Sequence, residues 1–507
     1  MFLTDQLLLN FQRCHRQAFL EVHGDAAARG QVNDFLLKLG EDKRRFQQDL
    51  LKDQTVARPS YPHHDWEAGA AATIDLMRQG VPVICNGVLL SHQPQRTQSQ
   101  GPSQIFKTES VAYVSTPDLL MRRPGVSVWG DWRYVPVDIK LSKRPKLEYQ
   151  ILGAFHAQVL AEVQGGAVEE PWLYLREKGW YTIDLERVLP QMEELRAALL
   201  TMLLQKAEPE VFIARNRCGM CVWFDACYAI AQAEQHLSLL PGVTPTRYPV
   251  LKAYNLASVE LLAQSDPSTL HAKTGLGHDV TRKLVSQSQA FVHQRPVFLT
   301  EALHSGILMS LPTTPIELYF DIEAEPSLNL VYLHGVLVVD RVRNEQEFFP
   351  CLAKAPADEE QAWWALVDLL SRYPDAPIFH FCAYEVQTVA RLAQQYGAPH
   401  RFVESLQPRF FDLHAWVTRT AALPIESYTL KLIARWLGFE WRNAAANGAQ
   451  AICWYSEWLE TQNPQFLEDI VLYNEDDCLA TYHVKDWLTQ FLAEQVERHL
   501  PPIAAGF

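Results

Sequence analysis

Cys218, Cys221 and Cys227 stand in a C-x2-C-x5-C loop, and Cys14 lies far upstream. Four soft ligands drawn from the two ends of a long stretch oblige any fold that joins them to close that stretch into one domain. Between them runs Val137-Asp138-Ile139-Lys140, a strand-like D-x-K, so the cysteines bracket a candidate catalytic centre. Cys85, Cys351, Cys382, Cys453 and Cys478 sit singly in apolar or mixed stretches, where a small buried side chain is the expected role. Nine cysteines in a chain of this kind read as thiols or metal ligands, not as a disulfide framework.

The 507 residues suffice for two or three domains, each with its own core. No apolar run approaches the roughly 18 to 20 residues that span a bilayer, and Met1-Phe2-Leu3-Thr4-Asp5 has no basic flank before its short apolar stretch. The expectation is a cytoplasmic protein with no membrane partner. A net charge of -14 argues against coating nucleic acid by bulk electrostatics, but local basic groups remain. Arg122, Arg123, Arg133, Lys140, Lys143, Arg144 and Lys146 are interleaved with Trp129, Trp132, Tyr134 and Tyr149. That mixture fits a groove for single strands, with phosphate contacts and base stacking, and equally a solvated hairpin.

Three segments follow from the patterning. Residues 1–235 mix helices and strands: Leu7, Leu8, Phe11 and Cys14 keep helical spacing, whereas Val81 to Ile84 and Val135 to Lys140 read as strands. Ser91 to Gln104, rich in Gln, Ser and Pro, reads as a loop. Helices are expected from Leu147 to Val163 and from Leu185 to Lys206. Residues 241–300 read as a helical linker, and Thr274-Gly275-Leu276-Gly277 between two helices also resembles a helix-hairpin-helix turn. Residues 311–507 alternate strands and helices as a separate α/β domain.

In a strand, Asp138 and Lys140 share one face. A carboxylate that holds Mg²⁺ beside an ammonium that orients water can deliver hydroxide to a phosphodiester. Asp118, in Thr116-Pro117-Asp118, supplies a second acid. Gln150-Ile151-Leu152-Gly153-Ala154-Phe155 follows on a helix. The P-D…D-x-K…Q order resembles the RecB-type PD-(D/E)xK nucleases, which have a restriction-endonuclease-like fold, and the cysteines resemble their iron-sulfur subset. The resemblance implies catalytic roles for Asp118, Asp138, Lys140 and Gln150, and a 4Fe-4S cluster on Cys14, Cys218, Cys221 and Cys227. Taken alone, four thiolates are also compatible with structural Zn²⁺. The chain departs from the pattern in two places. Ala154 stands where the signature has tyrosine, and Glu67 to Gly80 lacks the usual metal-binding histidine, leaving Thr73 or Glu67 in its place and His63 and His64 nearby.

Asp321 and Glu323 are likewise two apart in a strand, and Tyr473 and Asp477 are four apart on a predicted helix. D-x-E followed by Y-x3-D resembles the DEDDy 3′-to-5′ exonucleases, whose fold is ribonuclease-H-like, and in particular YprB-type domains. The resemblance implies that Asp321, Glu323, Glu385 and Asp477 hold Mg²⁺ or Mn²⁺ while Tyr473 orients water. The middle motif, His380-Phe381-Cys382-Ala383-Tyr384-Glu385, carries glutamate for aspartate and Phe381 for asparagine; Asp412 and Thr429-Leu430-Lys431 match its surroundings.

Taken together, the resemblance implies a multidomain α/β nuclease acting on DNA single strands or duplex ends, with RNA as an alternative substrate and a helicase as a partner. The rival is a nucleic-acid-binding scaffold whose nuclease centres have decayed.

Overall fold

Val135, Val137 and Ile139 are β-branched and alternate with neighbours on the opposite face, which favours extended chain; the structure places them in the strand Gly130–Lys140. In this computed structural model, residues 1–93, 111–300, 311–398 and 400–499 are described. They form mixed α/β structure in two compact units, Met1–Val211 with Arg215–Tyr228, and Phe212–Ala214 with Ala229–Phe507. The helical segment 241–300 thus falls within the second unit. No helix among the described residues is long and apolar enough to cross a membrane.

The first unit is built on a six-stranded sheet ordered Val56–Ala57, Val83–Cys85, Leu119–Ser127, Gly130–Lys140, Trp172–Leu175, Gly179–Thr182. Gly130–Lys140 runs antiparallel to Leu119–Ser127 and parallel to Trp172–Leu175, and the helix Leu147–Gln164 makes the crossover between the parallel pair. That helix buries Ile151, Ala154, Phe155 and Leu160 against Leu120, Tyr134 and Leu173. It ends at Gly165, whose φ of 65° is the left-handed cap that glycine adopts without strain. The expected loop is corrected at its start, because Ser91 belongs to the strand Leu89–Gln93, paired with Val111–Ser115. Its remainder, 94–104, lies outside the described residues.

Cys14 separates the helices Asp5–Arg13 and His15–His23, and its sulfur accepts from Gln17 N at 3.4 Å as the cap of the second. The cysteine loop returns to this corner. Arg217 Nη1 donates to Arg13 O at 2.9 Å, Trp223 Nε1 to Glu21 Oε1 at 3.0 Å, and Gly30 N to Val222 O at 2.7 Å. The two ends of the unit are therefore fastened by hydrogen bonds.

In the second unit, a five-stranded sheet is ordered Glu345–Leu352, Leu330–Asp340, Ile316–Glu325, Ile378–His380, Phe410–Asp412. The first three strands are antiparallel and the last two run parallel to the central one. The helix Pro464–His499 packs Cys478, Val484 and Leu488 with Tyr319, Leu337 and Phe379 of the sheet. A buried ion group fixes its register: Lys485 Nζ lies 2.7 Å from Glu317 Oε1, and Arg341 bridges Glu317 and Asp486. Removing one partner of such a pair leaves an uncompensated buried charge. Before the sheet, the helices Arg247–Ala253, Val259–Ala263, Pro267–Thr274 and His278–His293 share a small core of Leu251, Leu262, Leu270 and Leu284. Gly275 has φ 69° and Gly277 caps the last of them, so the Gly-x-Gly serves a tight turn.

Candidate functional site

The strand Gly130–Lys140 sets Asp138 and Lys140 on one face, with Lys140 Nζ 3.1 Å from Asp138 Oδ2. Asp118 precedes the neighbouring strand. Its Oδ2 accepts from Ile139 N at 2.7 Å, and its Oδ1 meets Lys43 Nζ at 2.6 Å. The two acids are thus held around one stretch of backbone. Asp138 is almost fully buried; burial raises its pKa, but Lys140, His156 and Lys43 outweigh that and hold it below the usual carboxylate range. Conversely, burial lowers Lys140, and Asp138 and Asp118 more than offset it, so the ammonium stays charged.

Gln150 is placed differently from a group free to meet substrate: its Nε2 donates to Pro145 O and its Oε1 accepts from Arg187, both at 2.7 Å. The upstream helix is Trp66–Arg78. Thr73 is buried, donating to Gly69 O and accepting from Val88 N, and Glu67 is exposed. A buried histidine lies on the helix that follows Lys140. His156 is buried, with Nε2 3.5 Å from Asp138 Oδ2 and Nδ1 2.7 Å from Ser115 Oγ. Asp138 Oδ2 is thus paired with the Lys140 ammonium at 3.1 Å and faces the His156 ring at 3.5 Å. Several of the basic and aromatic residues that interleave here have partners within the unit: Arg122 donates to Gly80 O, Arg133 to Glu169, Trp132 to Met77 O and Tyr134 to Val81 O.

In the second unit, alternation along Ile316–Glu325 gives Asp321 and Glu323 a common face, and the helix Pro464–His499 brings Asp477 to it. Ligand oxygens from Asp321, Glu323 and Asp477 all lie within 4.8 Å of one another. Like charges this close and this buried resist ionising together. Burial, then Asp477, Glu323 and Glu385, push Asp321 well above the usual range. Burial and Asp477 do the same to Glu323. Asp477 is pushed up to about 6, chiefly by burial. Its rotamer is fixed by Trp441, whose Nε1 donates to Oδ1 at 2.8 Å. Burial and the surrounding carboxylates of Asp477, Glu323 and Asp321 raise Tyr473, so its hydroxyl keeps its proton and serves as a donor.

Glu385 opens the helix Tyr384–Tyr396 and is buried, with its pKa raised by burial. Its Oε2 lacks a hydrogen bond; His380 Nδ1 lies 3.5 Å away but bonds Cys382 O at 2.6 Å. Cys382 has φ 81°, a conformation costly for a residue with a Cβ. Asp412 holds that turn, accepting from Cys382 N at 3.0 Å while capping Leu413–Thr420 through Ala415 N. Its role is thus a cap. Phe381 packs edge-on against His414 at 5.4 Å. Thr429 likewise caps Leu430–Trp436, and Lys431 lies over Trp441 with its charge near Asp477.

Residues 318–489 match the family model described as RNase_H superfamily. This domain is ribonuclease-H-like. The matched span begins in the strand of Asp321 and ends in the helix of Asp477, so it encloses every carboxylate of the second centre. None of the curated proteins matches the chain.

Sequence reading missed His156, Lys43, Trp441 and Asn474. His156 lay in view six residues beyond Gln150, but nothing local marks a buried histidine as facing a strand residue. Asn474 donates through Nδ2 to Asp321 Oδ2 at 2.6 Å.

The raised carboxylates of the ribonuclease-H-like centre set a pH dependence. Their folded pKa values exceed the unfolded ones, so their contribution is fully present below about pH 4 and is lost as pH rises through about 6 and beyond for Asp477. Asp138 has the opposite sign, and its contribution is lost only in strong acid. Calorimetry of EDTA-treated protein should therefore show the melting transition of the second unit falling between pH 5 and pH 8, with Mn²⁺ at pH 8 restoring it.

Proposed function

We propose that the chain is a metal-dependent nuclease with two centres, acting exonucleolytically on DNA single strands or duplex ends in repair, recombination or defence. The observation that carries this reading is the carboxylate group of Asp321, Glu323 and Asp477, with Glu385 beside it. Four hard oxygen donors whose charges repel one another suit a hard divalent cation such as Mg²⁺ or Mn²⁺, and the buried Glu385 Oε2 without a hydrogen bond fits the same use. A bound divalent pair supplies charge stabilisation at the phosphate and lowers the pKa of attacking water. The chain's own groups do the rest. Asp477 is oriented by Trp441, Asp321 is anchored by Asn474, and the protonated Tyr473 hydroxyl, hydrogen-bonded with Asp477, would orient the water.

The first unit supports the RecB-type reading through its topology. A strand bearing Asp138 and Lys140 is followed by a helix and a parallel strand, with Asp118 at the head of the antiparallel neighbour. Lys140 is charged and adjacent to Asp138, so it would orient water or the leaving oxygen there. For Cys14, Cys218, Cys221 and Cys227 the proposed occupant is a 4Fe-4S cluster. Burial first, and then the other three thiols, raise Cys221 to about 11, which makes the four electrostatic neighbours. Structural Zn²⁺ on the same four thiolates is the alternative occupant.

A scaffold with a decayed first centre is the second reading, favoured by the commitment of Gln150 to Pro145 and Arg187. The deciding experiment incubates labelled single-stranded DNA and RNA with Mg²⁺ or Mn²⁺. Degradation reversed by EDTA is expected, with DNA preferred; inert protein under both metals contradicts the enzyme.

A further inference from the structure

We propose that Asn474 is a positioning residue of the ribonuclease-H-like centre, seated in a slot that Gly335 keeps open, and that it fixes the Asp321 carboxylate for divalent metal. The inference rests on the nuclease reading of that centre and names a part of it that neither the motif residues nor the family match assigns.

Asn474 is fully buried. It stands one residue after Tyr473 and three before Asp477 on the long helix, so its side chain leaves the helix toward the sheet between them. There Nδ2 donates to Asp321 Oδ2 at 2.6 Å. When Asp321 is ionised, as metal binding requires, this amide orientation is the one selected, because turning it over would set its oxygen against a carboxylate oxygen. A neutral donor suits this position. It fixes one oxygen of Asp321 and adds no cation to compete with the metal, leaving the other oxygen to the neighbouring carboxylates' shared space.

Gly335 makes this possible. It lies directly opposite Asp321 in the antiparallel ladder. A Cβ built on it would stand 1.7 Å from Asn474 Oδ1 and 2.8 Å from Asn474 Cγ, so no other residue fits while Asn474 is in place. The helix uses the same gap one turn on, where Cys478 Sγ lies 3.5 Å from Gly335 O. Asn474 Oδ1 has no hydrogen-bond partner. A buried acceptor left unpaired is unfavourable, and proteins keep such groups where position matters more than stability.

The test is Mn²⁺ titration of the full chain by electron paramagnetic resonance, in an Asp138→Ala background so that the second centre alone is read. Asn474→Ala should bind Mn²⁺ about ten- to a hundredfold more weakly while melting normally in EDTA. Gly335→Ala should weaken Mn²⁺ at least as much. The Asn474→Ala/Gly335→Ala double variant should match Asn474→Ala alone, because the clash is gone. A purely packing role predicts a lowered melting temperature for Asn474→Ala with wild-type Mn²⁺ affinity, and that result overturns the inference. Asp321→Asn is the reference. If it loses Mn²⁺ and Asn474→Ala does not, only this inference fails; if the wild-type centre binds no Mn²⁺, the nuclease reading falls with it.

Discussion

Asp477→Asn is expected to reduce metal-dependent nuclease activity from the second unit about a thousandfold, with no loss of fold. Asparagine has the same shape, and its side-chain oxygen can still accept from Trp441 Nε1, which now bonds Asp477 Oδ1 at 2.8 Å. What disappears is a charge. Metal-borne stabilisation of a phosphoryl transition state amounts to several kcal/mol, and about 4 kcal/mol corresponds to three decades in rate. The same substitution relieves repulsion among Asp321, Glu323 and Glu385, so the metal-free protein should melt higher at pH 8 than the wild type. Opposite effects on activity and stability distinguish loss of a ligand from damage to the fold.

Cys221→Ser should act on the first unit alone. Cys14 sits between two N-terminal helices and the other three cysteines sit near the end of the unit, so a shared metal centre closes a very long loop. By the loop-entropy argument a link of that length is worth about 5 kcal/mol. Hydrogen bonds from Arg217 and Trp223 to the N-terminal helices remain in the variant, but they are partly exposed and cannot replace it. Protein purified without oxygen should lose its broad absorption near ~400 nm. The melting transition of the first unit should drop, while the pH-sensitive transition of the ribonuclease-H-like unit stays in place. Equal collapse of both units would contradict this division. A colourless wild type with one Zn²⁺ would replace iron-sulfur by zinc.

The grouping of the second unit's carboxylates was legible in the sequence because they follow local rules. Asp321 and Glu323 declare a common face by alternation, and Tyr473 and Asp477 do so by one helical turn. The D-x-K pair of the first unit was legible for the same reason, as were the helices at 147 and 185, whose apolar spacing is regular. Contacts that depend on packing were not. His156 reaches Asp138 from a helix whose surface is apolar nearly all round, so periodicity gives no hint of which side meets the strand. Asn474 matters only because Gly335, on another strand, lacks a side chain. Gln150 fits its motif by position, yet its amide is taken by Pro145 and Arg187, a commitment that no spacing announces.

The central claim is that the carboxylates of Asp321, Glu323 and Asp477 form a working nuclease centre. It is tested most directly by incubating 5′-labelled single-stranded DNA with Mn²⁺ and either Asp138→Ala or Asp138→Ala/Asp477→Asn protein. The account predicts a ladder of stepwise shortened products from the first and intact strand from the second. Equal degradation by both, or none by the first, would contradict it.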